Sequence, residues 1–359
     1  MTVTRFVFFT VLTLAAAGIL YAVQIPLRRK ARLRARWIVW IIKVLLMSAL
    51  AFALIAIASP FLWRFDYPLA AVYLALLGDV TAEFFDLVFR KHKLFPYLLC
   101  LCTAAHLGYS MWNMGTIRPV YHTYQSEKLK EPCRIVFLSD LHYGSSQSAE
   151  TVTAALNKIK AEQPDYLILG GDITDEHTTN EEMRSLYAEI GNLGIDTYYI
   201  YGNHDRQDRA SYLGGPDYSE DELKDAIESK GITILYNETV QPRKDLILYG
   251  SEDPSRPQDF IPADEVPEFT NDAYSIYIVH TPPHGKEPIA RADLELSGHI
   301  HAGQFFPVRL IYTLAGLHVK GEYPAGNTVL LVSPGIAGWY LPLRNESVCS
   351  YEVIDLQPE

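Results

Sequence analysis

The feature that most limits the fold of this chain is an alternation of strand and helix patterns that begins near residue 133. Runs rich in β-branched and aromatic residues alternate there with segments of helical spacing. The predicted strands are 134–139, 166–169 and 197–201, and the predicted helices are 149–163, 181–192 and 220–230. Shorter strands separated by turns follow, at 232–235, 246–249, 275–279, 293–297, 328–332 and 349–355. Because strands that alternate with helices form βαβ units with parallel pairing, we predict an α/β domain.

Five of these predicted strands end in a polar cluster that contains His, Asp or Asn. The clusters are Asp140-Leu141-His142, Gly170-Gly171-Asp172, Gly202-Asn203-His204-Asp205, His280 and Gly298-His299-Ile300-His301. Ligands of parallel α/β sheets bind beyond the carboxyl ends of the strands, so these side chains are expected to meet. Carboxylate, imidazole and amide oxygen together suit divalent Mn, Fe, Zn or Ni. The ligands outnumber the needs of one ion, and two ions that share one carboxylate would use them all.

The ordered set SDLH, GGD, GNHD, VH and GHIH resembles the motifs of the calcineurin-like metallophosphoesterase superfamily over about residues 133–356. The resemblance implies a four-layer α/β/β/α sandwich with two divalent metal ions. It implies one metal held by Asp140, His142, Asp172 and His301, and a second held by Asp172, Asn203, His280 and His299. It also implies that His204 is a catalytic residue outside the ligand set, oriented by Asp205. The implied reaction is hydrolysis of a phosphate ester by metal-activated hydroxide.

Two later stretches, SGHIHAGQFFPVRL and LLVSPGIAGWYLPLR, resemble one bacterial branch of that superfamily. The branch includes membrane-anchored phosphodiesterases and the UDP-2,3-diacylglucosamine pyrophosphatases of lipid A synthesis. The chain departs from it at Ala302, where the branch has glycine, and at Pro334, where arginine is usual. The Pro-Glu pair of the branch is also missing at 347–350. None of these positions is a predicted ligand, so they bear on the substrate and leave the hydrolytic centre unchanged.

Other polar and aromatic residues near the motifs each have two interpretations. Arg206 and His177 are candidate substrate-binding residues, with Arg206 a candidate contact to a phosphate. Asp175 and His177 are either substrate contacts or part of a solvated loop. Trp339 and Tyr340 form either an apolar lip for a lipid or sugar or a core aromatic pair, and His284 is interpreted as a loop histidine.

Residues 1–115 have a different character, and we predict an N-terminal all-α transmembrane domain of four helices. The apolar stretches, each long enough to cross a bilayer, are 4–25, 37–58, 67–89 and 95–114. A cleaved signal peptide is the alternative for the first stretch. The first and third connecting loops are basic, so the positive-inside bias places them in the cytoplasm and the catalytic domain outside. Residues 116–132 are polar and predicted to be a linker, which leaves 133–359 as the catalytic domain.

Several polar residues of 1–115, and two cysteines of the predicted catalytic domain, each have more than one interpretation. Asp79, Glu83, Asp86 and His106 lie within predicted spans, where they form either a proton- or substrate-related site or a polar contact between helices. Cys133 and Cys349 open the first and last predicted strands, and a disulfide between them requires an oxidising compartment.

Charge excludes one class of function. Residues 1–115 hold 12 of the 31 Lys/Arg and 4 of the 42 Asp/Glu, which leaves 19 and 38 in residues 116–359. A domain this acidic is not expected to bind nucleic acid. We therefore predict a multi-pass membrane protein that hydrolyses a phosphodiester or pyrophosphate bond of a lipid-linked or envelope substrate. The alternatives are a phosphomonoesterase or nucleotide phosphodiesterase for soluble substrates, and a membrane sensor or transporter whose soluble domain only binds its ligand.

Overall fold

The structure is a computed structural model of the 359-residue chain. It describes residues 38, 40, 105–106, 108–144, 146–206, 217–266, 268–269, 272–284, 292–339 and 343–359. The chain divides into two units, Met1–Gly108 and Tyr109–Glu359. The four predicted membrane spans lie outside the described residues, apart from two positions of the second and the end of the fourth. Within the described part of the chain, no helix is both long and apolar enough to cross a membrane.

Six strands form the first sheet of the second unit. They are β1 (Ile117–Ser126), β2 (Cys133–Leu138), β3 (Tyr166–Gly170), β4 (Asp196–Ile200), β5 (Thr233–Ile234) and β12 (Cys349–Pro358). Their order across the sheet is β1-β12-β2-β3-β4-β5. Strands β2 to β5 run parallel, as the alternation with helices predicted. Strand β12 pairs antiparallel to β2 and parallel to β1.

Three helices cover one face of the first sheet: α1 (Ala149–Ala161), α2 (Asn180–Gly191) and α3 (Glu220–Glu228). Each begins after a Ser or Thr whose side chain accepts a hydrogen bond from an amide of the first turn. Such caps satisfy amides that have no partner within the helix, which explains where the helices start. Their apolar faces pack on the sheet in one cluster that includes Leu156, Leu186, Leu223, Val136 and Leu167.

Six more strands form the second sheet. They are β6 (Glu238–Arg243), β7 (Leu246–Gly250), β8 (Tyr274–Ile278), β9 (Leu294–Ser297), β10 (Gly321–Ala325) and β11 (Thr328–Val332). The order is β10-β11-β9-β8-β7-β6, with the four central strands parallel and both edges antiparallel. Side chains such as Phe137 and Ile168 of the first sheet pack against Leu248, Ile276 and Leu296 of the second. The two sheets therefore form an α/β sandwich.

The outer face of the second sheet differs from the predicted helical layer. Tyr249, Tyr277 and Val279 pack there against Phe260 and Val266, which belong to an irregular segment after β7. The helix α4 (Val308–Leu314) has no buried residue, so it does not form a packed layer. In the described residues, irregular chain therefore replaces the fourth layer.

The predicted linker is part of the sheet. Residues 117–126 form β1, which pairs with β12 along its whole length, from Ile117 beside Cys349 to Ser126 beside Pro358. Half of the residues of this edge strand are polar, and most of its side chains alternate between partly buried and exposed positions. A segment without a continuous apolar face resembles a linker in sequence, and only its pairing with β12 makes it a strand.

A histidine on β1 joins the two sheets. His122 places Nδ1 at 2.7 Å from Glu322 Oε1 on β10 and Nε2 at 2.8 Å from Glu352 Oε2 on β12. Burial lowers the pKa of His122, but the two carboxylates outweigh it and raise that pKa above its usual value. The ring of His122 thus links edge strands of both sheets.

The two cysteines of this unit do not form a disulfide. Both are buried and free. Cys133 pairs with Leu356, whereas Cys349 lies at the other end of β12. Seven residues of extended strand separate these positions, roughly 23 Å. Since β2 and β12 are antiparallel, two cysteines that both open their strands lie at opposite ends.

Candidate metal centre

The predicted ligands come together where the two sheets end. Strands β2, β3 and β4 of the first sheet and β8 and β9 of the second carry them on the loops that follow their carboxyl ends. Two groups of potential metal ligands result, and within each group the ligand atoms lie within 4.8 Å of one another. The first group is Asp140, His142 and His301, and the second is Asp172, His280 and His299.

Asp172 lies between the two groups. Its Oδ2 is 3.0 Å from His280 Nε2 in the second group and 3.8 Å from His142 Nε2 in the first. Its other oxygen, Oδ1, accepts a hydrogen bond of 2.8 Å from the amide of His204. Burial raises the pKa of Asp172, but His280 and His204 outweigh it and hold that pKa well below its usual range. One ionised oxygen can therefore serve both groups.

The imidazole rings of three candidate ligands are held through Nδ1. His280 Nδ1 lies 2.8 Å from Gly170 O, His301 Nδ1 lies 3.1 Å from Ala337 O, and His142 Nδ1 lies 3.4 Å from Asp175 Oδ2. A partner on one ring nitrogen fixes the ring and leaves the other nitrogen for a metal. The Nε2 atoms of His142 and His301 lie 3.3 Å apart, as two ligands of one ion would.

Other properties of the residues fit a pair of cations. Asp140 Oδ2 and Asn203 Oδ1 are buried, and neither has a hydrogen-bond partner among the described residues. The carboxylates of Asp140, Asp172 and Asp175 are also buried, as are those of Glu176 and Asp205. Buried carboxylates at this density require compensating positive charge. Burial lowers the pKa of His301 to about 3, which favours the neutral ring that binds metals. Burial acts in the same direction on His142 and His280, but Asp172 and neighbouring carboxylates outweigh it and raise the pKa of both rings.

The backbone of the site is conformationally unusual. Five candidate ligands have positive φ: Asp140 (53°), His142 (45°), Asp172 (52°), His299 (68°) and His301 (49°). Non-glycine residues in this region carry a cost of about 1–2 kcal/mol each, and such residues concentrate at functional sites. Ala302, which replaces the glycine of the resembling branch, is also left-handed, with φ of 51°.

Two glycines allow the loops to approach the carboxylates. A Cβ added to Gly202 would overlap the Asp172 carboxylate and lie 2.5 Å from the Asp172 amide nitrogen. At Gly335, where φ is 73°, an added Cβ would lie 2.5 Å from Asp140 Cβ. Real side chains do not tolerate contacts this short, so both positions require glycine.

His204 lies beside both groups and faces the pocket above the metal centre. Its Nδ1 is 2.8 Å from Glu176 Oε2, and the side chains of both residues are largely buried. Burial lowers the pKa of His204, but Asp172 and Glu176 outweigh it and raise that pKa to about 9. Glu176 was not among the residues predicted from the sequence, although it lies only four residues after Asp172 in the second motif.

Asp205 accepts hydrogen bonds from two loops of the site through both carboxylate oxygens. Its Oδ2 accepts hydrogen bonds from the amides of Asp172 (2.8 Å) and Gly202 (2.7 Å). Its Oδ1 accepts from the amides of Ile173 and Thr174, both 3.0 Å, and from the Thr174 hydroxyl at 3.2 Å. Both oxygens thus bind the loops after β3 and β4, while the ring of His204 is held by Glu176. Burial and the Asp172 charge raise the pKa of Asp205, and the amide donors oppose them.

Arg206, a candidate substrate-binding residue, contacts other residues of the protein in this structure. Its guanidinium pairs with the fully buried carboxylate of Glu252 and lies 3.6 Å from the centre of the Tyr201 ring. His177, the other predicted substrate contact, is half-buried, and its amide donates to Asp175 Oδ1 at 2.9 Å. Neither residue lines the pocket at the metal centre.

Arg344 holds the backbone around the first group of ligands in place. The sequence analysis included it only as part of the PLR segment. This fully buried guanidinium donates to the carbonyls of Ala337 at 2.7 Å, His301 at 2.6 Å and Gly335 at 3.2 Å. It also donates to Pro334 O and, through Nε, to Ser347 Oγ at 2.9 Å. All parts of the guanidinium fork are thereby used to hold the loop after β11 against the first group.

A pocket of about 570 Å³ opens over the metal centre. One part of its lining is polar and reactive, with Asp172, His204, His299 and His301. The other part is mostly apolar and includes Ile300, Phe305, Val308, Tyr312, Leu317 and Trp339, beside Gly303 and Gln304. Trp339, one of the two residues predicted to form a lip, lies here with its ring centre 5.8 Å from that of His204. Tyr340 lies outside the described residues, and His284 also lines the pocket.

The sequence profile of one family, described as calcineurin-like phosphoesterase, matches residues 133–303. These residues contain every candidate ligand of both groups. The chain contains a calcineurin-like metallophosphoesterase domain. Members of this family use a centre of two metal ions, in agreement with the two groups of this domain.

Two relatives found by sequence support the same domain. An uncharacterised metallophosphoesterase of Helicobacter pylori strain J99 is 30% identical over 227 residues, which cover 61% of this chain and 58% of that protein. A transmembrane protein with metallophosphoesterase domain from Danio rerio is 27% identical over 61% of this chain and 52% of its own length. This chain therefore spans little more than half of these relatives. A solved dimetal phosphatase from Danio rerio aligns over 57% of this chain and 88% of its own, with 11% identity and a TM-score of 0.35.

Proposed function

We propose that this protein hydrolyses a phosphodiester or pyrophosphate bond with two divalent metal ions. The observation that carries the proposal is the sharing of Asp172 between two adjacent groups of potential ligands, both buried at the base of one pocket. Asp140, His142 and His301 would hold one ion with Asp172, and Asn203, His280 and His299 would hold the other with it. A divalent cation in such a site supplies a hydroxide nucleophile at neutral pH and neutralises phosphate charge. Mn, Fe, Zn and Ni all suit this ligand set.

The residues of the chain contribute positioning and proton transfer. His204 faces the pocket with its Nδ1 held by Glu176, so its Nε2 can donate a proton to the leaving oxygen or stabilise developing charge. Asp205 acts as a positioning residue, because it ties the loop of Asp172 to the loop of Asn203. Asp175 and the carbonyls of Gly170 and Ala337 hold the ligand rings.

We further propose that the substrate is lipid-linked and that the protein is membrane-bound. The apolar part of the pocket, which begins beside Trp339, suits a hydrophobic group attached to the reacting phosphate. The four predicted spans, with their basic first and third loops, favour an extracytoplasmic catalytic domain. The relative from Danio rerio is named a transmembrane protein, which supports membrane attachment here.

The test is a metal-dependent assay of the purified full-length chain. Bis-p-nitrophenyl phosphate and p-nitrophenyl phosphate are compared with Mn²⁺, Zn²⁺ or chelator present, followed by lipid-linked diesters and pyrophosphates in mixed micelles. We expect hydrolysis of the diester to exceed that of the monoester and to cease with chelator. A preference for the monoester would favour a phosphomonoesterase that uses the same centre. Absence of turnover with every metal and ester would refute the proposal in favour of a ligand-binding domain.

Two variants separate metal binding from the later chemistry. Asp172→Asn should lose metal and activity together, because both groups depend on this carboxylate. His204→Ala should keep its metal and lose about 10²–10⁴-fold in turnover, the usual scale for general acid catalysis. Asp225→Asn, at an exposed position of α3, is the matched control and should change neither property.

A further inference from the structure

Helix α4 and the residues before it expose a concentrated apolar surface. Five of the large hydrophobic side chains that are exposed in the described residues lie within 306–314. Their exposed fractions are 71% for Phe306, 54% for Leu310, 54% for Ile311, 36% for Tyr312 and 79% for Leu314. Contiguous exposed apolar surface on a folded domain marks an interaction site. We call Phe306, Leu310, Ile311 and Leu314 the α4 surface.

The charge around the α4 surface favours an anionic partner. Residues 296–321 contain no Asp or Glu but include Arg309 and Lys320, although residues 116–359 hold 38 acidic and 19 basic residues in total. One carboxylate lies at the start of α4, where Glu346 Oε2 accepts from the amide of Arg309 at 2.6 Å. An apolar helix face flanked by cations is typical of elements that lie on anionic bilayers. A second copy of the same surface is a poorer match, because it brings the same two cations.

Helix α4 also borders the pocket of the metal centre. Val308 and Tyr312 line that pocket together with His301, whereas Leu310, Ile311 and Leu314 do not. The helix therefore presents one side to the pocket and exposes its other apolar residues to the surroundings. If a substrate carries a hydrophobic group, that group can leave the pocket along Tyr312 and reach the partner that contacts the α4 surface.

The loop 344–347 connects this region to the start of the catalytic unit. On one side, Asn345 Oδ1 accepts from the amide of Phe306 at 2.8 Å. On the other side, Asn113 Nδ2 donates to Arg344 O at 3.1 Å and to Ser347 O at 2.6 Å. Residue 113 is one position from the end of the predicted fourth span, so the loop 344–347 contacts both Phe306 of the α4 surface and the segment that the sequence assigns to the end of that span.

Exposed aromatic residues mark the same region. Tyr109 and Trp112 are 47% and 56% exposed, with ring centres 6.0 Å apart. The guanidinium of Arg118 lies 5.4 Å from the centre of the Trp112 ring. Aromatic rings with nearby cations are characteristic of the interface between bilayer and water.

We propose that the α4 surface docks on an anionic lipid bilayer beside the aromatic residues Tyr109 and Trp112, so that the pocket opens toward the lipid headgroups. The docking itself depends only on the exposed surface and its charge. The inference that the pocket then receives its phosphoester from the bilayer rests on the proposed function.

The test uses the full-length chain in nanodiscs of phosphatidylcholine and phosphatidylglycerol. Leu310→Cys and Leu314→Cys are labelled with an environment-sensitive fluorophore, and nitroxide-labelled phospholipids serve as quenchers. Asp225→Cys on α3 is the matched control, and Cys100 and Cys102 are replaced by Ser in every variant. The labelled parent with the same two replacements supplies the background, since Cys133 and Cys349 are buried. We expect nitroxide lipids to quench positions 310 and 314 about threefold more than position 225, as for a helix at the headgroup boundary.

A second measurement separates docking from catalysis. The variant Leu310→Ser/Ile311→Ser/Leu314→Ser should hydrolyse bis-p-nitrophenyl phosphate like the parent, but a lipid phosphoester in vesicles about tenfold more slowly, because it loses three apolar bilayer contacts. Absence of lipid quenching at 310 and 314 in a chain that hydrolyses soluble diesters would overturn the docking and leave the proposed function intact. Lipid quenching in a chain that hydrolyses no phosphoester would uphold the docking and refute the proposed function. Quenching that depends on a second labelled copy instead of on lipid would assign the surface to a dimer and overturn the proposal.

Discussion

Replacement of Asp205 by Asn distinguishes the structural account of this carboxylate from the role that the motif resemblance implies. Asp205 is fully buried, and its two oxygens accept five hydrogen bonds from the loops after β3 and β4. In the Asp205→Asn variant, a side-chain NH₂ group replaces one of these acceptors and faces amide donors. The substitution is almost isosteric, so its effect comes from hydrogen bonding and charge.

The magnitude follows from the number of acceptors lost. The Asn oxygen can occupy the position of Oδ1, which accepts three of the five hydrogen bonds. The two bonds to Oδ2, from the amides of Asp172 at 2.8 Å and Gly202 at 2.7 Å, are then lost. Hydrogen bonds to a charged group contribute about 1.5–3 kcal/mol each, so we expect the free energy of unfolding to fall by about 3–6 kcal/mol. The same two amides belong to the loops of Asp172 and Asn203, so metal binding should weaken as well.

The assay has two readouts. Urea unfolding of the unit Tyr109–Glu359, which has its own hydrophobic clusters, should show a midpoint lowered by roughly 1 M or more, with slopes of about 3 kcal/mol/M. Metal content of the full-length chain after dialysis should fall below that of the parent. The control Asp225→Asn removes an exposed carboxylate and should change stability by less than about 0.5 kcal/mol.

The opposite pattern would refute this account. If Asp205 acted only by orienting His204, the Asp205→Asn variant would keep its stability and its metal and would lose turnover to the same extent as His204→Ala. That result would show that the five hydrogen bonds contribute little and that the ring depends on Asp205 in preference to Glu176.

Three further predictions concern other parts of the unit. Gly335→Ala places a Cβ against Asp140, so metal content should fall toward one ion per chain, as elemental analysis would show; two retained ions would contradict it. Arg344→Lys removes most of the donors from a buried fork and should destabilise the unit by about 3–5 kcal/mol in urea unfolding, and a loss below about 1 kcal/mol would be inconsistent with its role. His122→Gln tests pH dependence: because the folded pKa of His122 is raised, its stabilisation is complete below the unfolded value of about 6.5 and is lost as pH rises through the folded value. The stability difference from the parent should therefore be larger at pH 6 than at pH 9, and equal differences would contradict the ionic link to Glu352.

Sequence patterns were most informative where burial is strong. The central strands β2, β3, β7 and β8 were all predicted, because each is a largely apolar run that is buried on both faces. Strand β4, which is less completely buried, was predicted from its Thr, Tyr and Ile residues. The edge strands β1, β6 and β10 were not predicted, since their polar alternation acquires meaning only beside a partner. The predicted helices α1, α2 and α3 begin within one residue of their observed starts, where Ser and Thr caps mark the first turn.

The sequence by itself determined the candidate ligands of this protein, since His, Asp and Asn at the ends of consecutive buried strands must converge when those strands pair in parallel. It also determined the metal chemistry, which depends on the donor atoms that these residue types provide. Only the tertiary structure decided which groups hold the ligands in place. These groups contact segments that are distant in the sequence. Glu176 holds His204, Asp205 holds the loops after β3 and β4, and Arg344 donates to His301 O. The α4 surface likewise became evident only from the exposure of its side chains. From the sequence alone, the same apolar residues would be predicted to lie in the hydrophobic core. Residue types thus define the possible chemistry, whereas burial and the direction of each side chain decide its use.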